Sequence, residues 1–326
     1  MSREPELSAG KAPERTPFGR LINSLLATAQ MSSARQIDAE LDLANLDRRL
    51  LSLIGRRGKV TFTQIARLSG IQRAQISRSL AHLTATGLVH RPDVRSKAEF
   101  TEKGRAVYEE ILAVAIARNV EVCGGLDAPT RDFFIRATRF MIDEAAAMLD
   151  AEIQLSGGTQ EPGAERKSER RPNERNEPGI ADARVHVMVL PPLTTLASYL
   201  NRTATLLAKR VGAISSFEAD MLMLIGKNEP MTQLSLTRTT GASKSQIVRA
   251  LTRIESIGLV NRTKVPGRRD ILLDLSAEGR GLWRLLTTAE ADRDARLLGV
   301  LEPGEEARYR AVLTLLMENA RAMARG

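Results

Sequence analysis

The chain is poor in the residues that mark enzymes, metal sites and membranes. It has one cysteine, Cys123, in 326 residues, so no intrachain disulfide and no multi-cysteine metal site can form. There are three histidines, His82, His90 and His186, and none stands near Cys123 at metal-ligand spacing. No Walker A, G-x-G-x-x-G or H-E-x-x-H stretch occurs. These absences predict a non-enzyme with no cofactor and no metal. Aromatic residues make up 3% of the chain, so any core must rest on Leu, Ile, Val, Ala and Met. No apolar run approaches the ~20 residues of a membrane helix. The N-terminal MSREPELSAGKAPERTPFG is polar and lacks the apolar centre of a signal peptide. A cytoplasmic protein that does not enter the membrane is expected.

Positive charge is plentiful, and it is localised. Net charge is +9, but residues 56–105 hold eleven Lys and Arg against three Asp and Glu, and residues 227–280 hold ten against five. The rest of the chain is net acidic. Two basic regions predict an anionic partner, or at least two solvated basic faces.

Both basic regions contain the same phrase. Residues 70–91 read GIQRAQISRSLAHLTATGLVHR and residues 241–262 read GASKSQIVRALTRIESIGLVNR, an offset of 171. Upstream, Leu51, Leu53, Ile54 and Gly55 match Leu222, Leu224, Ile225 and Gly226. Downstream the offset becomes 175, where Gly104-Arg105 meets Gly279-Arg280. A repeat with one localised length change predicts a duplicated domain. Between the copies, residues 156–184 are rich in Gly and Pro, and six bases there cancel six acids. This segment can build no apolar face and reads as a disordered linker with a reach of ~30 Å. The resulting division is a tail (1–17), a first domain (18–154), a linker (155–187) and a second domain (188–326).

Each copy predicts the same series of elements. Thr61-x-x-Gln64 and Ser243-x-x-Gln246 are capping boxes that open helices. Ile76, Leu80 and Leu83, and likewise Ile247, Leu251 and Ile254, form buried stripes on helices 72–85 and 243–256. Gly87 and Gly258 end them. Two short helices joined by a tight turn make a helix-turn-helix. A β-hairpin follows. In the second copy Pro266-Gly267 turns it, Arg268 and Arg269 form its tip, and Ile271, Leu273 and Leu275 alternate on the return strand. In the first copy the hairpin is four residues shorter, so little loop remains to project a basic tip.

These features together resemble the MarR family of winged-helix transcription regulators. The residues that carry the likeness are L-L-S-L-I-G (50–55) with M-L-M-L-I-G (221–226), Thr61-x-x-Gln64 with Thr232-x-x-Ser235, G-L-V-x-R at 87–91 and 258–262, and T/S-x-x-G-R at 101–105 and 276–280. The resemblance covers most of 18–153 and 188–324. It implies a mainly α (α+β) fold of two winged helix-turn-helix domains. Their flanking dimerisation-type helices would form an intrachain pseudo-dimer. Whether the copies pair within one chain or swap between two, and whether chains associate further, stays open.

The implied function is sequence-specific binding of double-stranded DNA, with repression as the expected sense. One recognition helix per copy would enter successive major grooves and the second wing a minor groove. Unequal wings predict an operator that is an imperfect palindrome. Arg73, Gln75 and Arg78 face outward in the first copy, and Lys244, Ser245, Gln246 and Arg249 in the second. Arg suits guanine, Gln suits adenine, and Lys and Ser suit phosphate. Gln246 has the competing task of closing its capping box, and Arg78 and Arg249 could pair within the fold. Arg268 and Arg269 would enter the minor groove, although Asp270 follows the pair where the family places an acid before it. The resemblance also implies a small-molecule effector. His82 reads as an exposed histidine and Cys123 as an inert thiol. The alternative function is a protein-docking module, which salt dependence would distinguish.

Overall fold

The computed structural model describes residues 16–37, 43–93, 96–157, 183–240, 242–264 and 271–325, with the backbone alone over 31–37. The fold is mainly helical. The first series runs α1 (Phe18–Ile37), α2 (Asn45–Arg57), α3 (Phe62–Ser69), α4 (Arg73–Ala85), β1 (Val89–His90), β2 (Glu99–Phe100), α5 (Glu102–Val122) and α6 (Ala128–Leu155). The second runs α7 (Leu190–Gly212), α8 (Ser216–Asn228), β3 (Met231–Thr232), α9 (Gln233–Thr240), α10 (Lys244–Ser256), β4 (Val260–Lys264), β5 (Ile271–Leu275), α11 (Ala277–Leu298) and α12 (Glu305–Arg325). Among the described residues no helix is long and apolar enough to cross a membrane.

The chemistry of the repeated motifs is visible in the contacts they make. Thr101 Oγ1 accepts the Gly104 N–H at 2.9 Å, capping α5, and donates to the Gly87 carbonyl at 2.7 Å. Ser276 Oγ does the same with Gly279 at 2.9 Å and Gly258 at 2.6 Å. One hydroxyl thus starts a helix and clamps the turn that ends the preceding one. A Cβ on Gly104 would lie 1.8 Å from the Leu88 carbonyl oxygen, and one on Gly279 1.9 Å from that of Leu259. Only glycine permits so close an approach. Strand pairing also recurs: Val60 bridges Ala98 as Met231 pairs with Leu273. The first hairpin has two residues per strand, whereas β4 and β5 have five each.

Three main cores result. One lies beneath α4, built on Leu51, Ile54, Ile76, Leu80 and Leu83. Another lies beneath α10, built on Leu222, Ile225, Ile247, Leu251 and Ile254. All six stripe residues are buried. The third and largest joins the two series, because α1 packs along α12 and α6 along α7. At its centre Phe134 stacks on Tyr309 with ring centroids 4.3 Å apart. These residues are counterparts at the 175 offset, and so are Phe133 and Arg308, whose guanidinium lies over the ring at 4.3 Å. On α1 and α7, Asn23 Nδ2 donates to Asn201 Oδ1 at 2.9 Å and Asn201 Nδ2 donates back to Asn23 Oδ1 at 3.1 Å. The helix starts exchange caps as well. Phe18 N–H donates to Asp294 of α11 at 2.6 Å, and Val189 N–H donates to Asn119 of α5 at 2.8 Å.

Packing of the second series begins earlier than residue 188. Val185 and Met188 are buried with Tyr108 and Leu112, and Arg184 forms a two-point ion pair with Glu109 at 2.9 and 3.0 Å.

Candidate nucleic-acid interface

Helices α4 and α10 each bury one stripe and leave the opposite face to solvent. Arg73, Gln75, Arg78, Lys244, Ser245, Gln246 and Arg249 are all exposed. Arg268 and Arg269 lie outside the described residues.

Arg78 and Arg249 are fastened alike. Arg78 Nε donates to the Ala74 carbonyl and Arg249 Nε to the Ser245 carbonyl, each at 3.3 Å. Neither pairs with an acid among the described residues. Their terminal amino groups therefore stay available to an outside acceptor. An Arg held at Nε while its fork points outward is arranged for bidentate contact.

The two glutamines differ. Gln246 closes its capping box: it receives the Ser243 N–H on Oε1 at 3.1 Å and gives its own N–H to Ser243 Oγ at 3.3 Å. Reading adenine requires both ends of a carboxamide, so in Gln246 the box competes with that task. Gln75 has no such duty, because Gln72 stands at the N-cap of α4 and makes no side-chain cap. Replacing Ser243 with alanine removes the acceptor of the Gln246 backbone N–H and should cost about 1 kcal/mol, to be checked by urea unfolding.

Other braces were not legible in the sequence. Arg73 and Arg91 both lie over the Phe62 ring, at 5.5 and 5.7 Å, tying α4 and the first hairpin to α3. In the second series Arg262, the counterpart of Arg91, instead donates to Glu255 at 3.1 Å and Gln233 at 3.2 Å. His82 is exposed but engaged: its Nδ1 lies 2.8 Å from Oδ2 of Asp47, a buried residue whose Oδ1 receives the Ser79 hydroxyl. This carboxylate pins α4 to α2. Its partners lie 32 and 35 positions away, a separation no local motif signals.

A cavity of about 390 Å³ lies between α2, α5 and the start of α7. Arg48, Arg49, Arg56 and Arg118 line it with Tyr108 and Met188, and no Asp or Glu is among its described lining residues. Burial, then the neighbouring cation Arg56, pushes Arg49 down to about 10. Burial, then Arg57, does the same to Arg56. Arg118 is also lowered by burial, and its Nε is buried without a hydrogen bond. Arg49 and Arg56 remain charged at neutral pH.

Cys123 lies at the end of α5, and burial pushes its thiol up to about 11. Its alkylation at pH 8 should be roughly 100-fold slower than that of a short cysteine peptide, since only the thiolate reacts. A timed iodoacetamide reaction measures this.

No curated protein matches the chain. Among solved structures, FabT from Streptococcus pneumoniae in complex with DNA is 21% identical (TM-score 0.33), covering 35% of this chain and 82% of that one. A putative MarR family transcriptional regulator from Listeria monocytogenes, complexed with 26mer DNA, is 19% identical (TM-score 0.33; 38% and 83%). The PcaV regulator from Streptomyces coelicolor, in complex with its natural ligand, is 22% identical (TM-score 0.31; 38% and 90%). Residues 41–97, which run from before α2 through α4 and into the first hairpin, match the model of the MarR family, and this segment is a MarR family domain.

Proposed function

We propose that the chain is a sequence-specific, double-stranded DNA-binding transcription regulator. It carries two winged helix-turn-helix units in one polypeptide, joined as an intrachain pseudo-dimer. The observation that carries this reading is the reciprocal Asn23–Asn201 pair. Asn23 and Asn201 lie on α1 and α7, the first helix of each series, and a bond made in both directions between corresponding helices is the mark of an isologous, two-fold contact. A two-fold arrangement of recognition helices matches two half-sites on a duplex. The identical anchoring of Arg78 and Arg249 supports the same relation.

In this reading each recognition helix enters a major groove, and the operator is a palindrome read unequally. The first hairpin is short and the second is long, so only the second half adds a minor-groove contact through Arg268 and Arg269. Repression follows where the operator overlaps a promoter. A small-molecule effector is the remaining partner, and the arginine-lined cavity is its candidate site. Protein docking alone would not call for free arginine forks on both helices.

The test is a titration of the full chain onto its own upstream intergenic DNA, with random duplex as competitor and salt varied. A specific shift with one chain per site is expected. Log affinity should fall by about 0.9 per phosphate contact for each tenfold rise in salt. A flat salt response with no preference over the competitor would move the assignment to protein docking.

A further inference from the structure

Helices α4 and α10 present their outward faces in the same register. At the 171 offset, Arg73, Ser77 and Arg78 correspond to Lys244, Val248 and Arg249, and all six are exposed. Arg78 and Arg249 are fixed by the same Nε bond to the carbonyl four residues back. The two arginines set a common frame, so the residue one position earlier holds the same place on each helix. There the halves part: a polar serine in the first becomes a branched apolar residue in the second. Folding gives no reason for a valine at that place. Val248 is 37% exposed and takes no part in the core beneath α10. A β-branched side chain also loses rotamer freedom on a helix. Among the described residues, α4 exposes no large apolar side chain.

The apolar group that bases display in the major groove is the C5-methyl of thymine. A donor or acceptor placed against Val248 would instead lose water without gaining a bond. We propose that Val248 is a specificity-determining residue that reads a thymine methyl in the second half-site, and that the first half-site, which faces Ser77, has no such requirement. The Ser77 hydroxyl donates and accepts, so it suits a base edge or a phosphate. The operator then departs from palindromy at a defined base pair as well as at its flanks. Identical subunits of a homodimer could not differ in this way, whereas two copies in one chain can. The inference rests on the DNA-binding function proposed above.

The test uses the full chain and its upstream intergenic duplex, prepared with thymidine or with deoxyuridine, which lacks only the methyl. Anisotropy titrations against random competitor give the ratio of the two affinities for each protein. The penalty for deoxyuridine should be about fourfold greater for the wild type than for Val248→Ser, the worth of one buried methyl. Ser77→Ala should keep the wild-type penalty. Each ratio is taken on one protein, so partial folding of a variant drops out, and any change in duplex shape is common to all three proteins. Equal penalties for the wild type and Val248→Ser overturn the inference. So does a Ser77→Ala variant that loses as much of the penalty as Val248→Ser. Deoxyuridine placed at one thymine at a time should then find the sensitive position in one half of the footprint. Sensitive thymines in both halves, each relieved by Val248→Ser, overturn the assignment to a single half-site. The function is read separately: a specific wild-type shift with equal penalties removes this inference and leaves the regulator standing, whereas no specific shift removes both.

Discussion

Replacing Arg78 and Arg249 together by alanine should weaken specific DNA binding by about 2–6 kcal/mol, from 1–3 kcal/mol for each bidentate base contact. The two residues lie on separate helices over separate cores, so their effects should add. The expectation rests on geometry. Both side chains are exposed, both spend Nε on the carbonyl four residues back, and neither meets an acid among the described residues. The free fork has no structural task to lose, so the variant should fold with unchanged stability. Anisotropy titrations on the upstream operator and on random duplex measure the effect. A loss of equal size on both duplexes would make these phosphate contacts, and the fall in salt slope, about 0.9 per lost contact, would count them. The single variants test the inequality of the halves. Arg78→Ala should cost more, since the short first hairpin leaves its half-site with fewer other contacts.

Tyr309→Ala should destabilise the protein by about 3–5 kcal/mol, the usual cost of emptying a fully buried aromatic site. Tyr309 is completely buried, stacks on Phe134 at 4.3 Å and lies 5.7 Å from Phe18. Its hydroxyl lies 2.8 Å from Thr138 Oγ1. The threonine gives its own proton to the Phe134 carbonyl at 2.7 Å, so the tyrosine is the donor. Burial pushes the Tyr309 hydroxyl well above the usual phenol range, which keeps that proton in place. Tyr309→Phe removes only the hydrogen bond and should cost about 1 kcal/mol. The contrast between the two variants, read by urea unfolding, separates ring packing from the hydroxyl. Because the ring joins helices of both series, Tyr309→Ala should also abolish binding to the two-headed site while leaving weak, non-specific DNA affinity.

Much of the local architecture was legible beforehand. The capping boxes at Thr61 and Ser243, the buried stripes of α4 and α10 and the glycines that end both helices are signals spread over a few residues. Each reflects backbone groups that must be satisfied nearby. The outward placement of Arg78 and Arg249 followed from the same periodicity. Whether Gln246 closes its capping box was open in the sequence, and its bonds to Ser243 show the box closed. The brace of His82 on Asp47 was not legible, and neither was the stacking of Arg73 and Arg91 on Phe62.

What the sequence determined by itself is the recurrence: the element order, the phrase at 171, the length change in the hairpin and the location of positive charge. These depend on neighbours along the chain and on the period of apolar residues. Tertiary structure alone decided how the two series meet, through Asn23 with Asn201 and Phe134 with Tyr309. It also decided that four arginines from α2 and α5 line one cavity. The physical reason is separation. Contacts between residues more than a hundred positions apart form only when whole helices dock. Which charges then share a buried space depends on how those helices pack rather than on any local pattern.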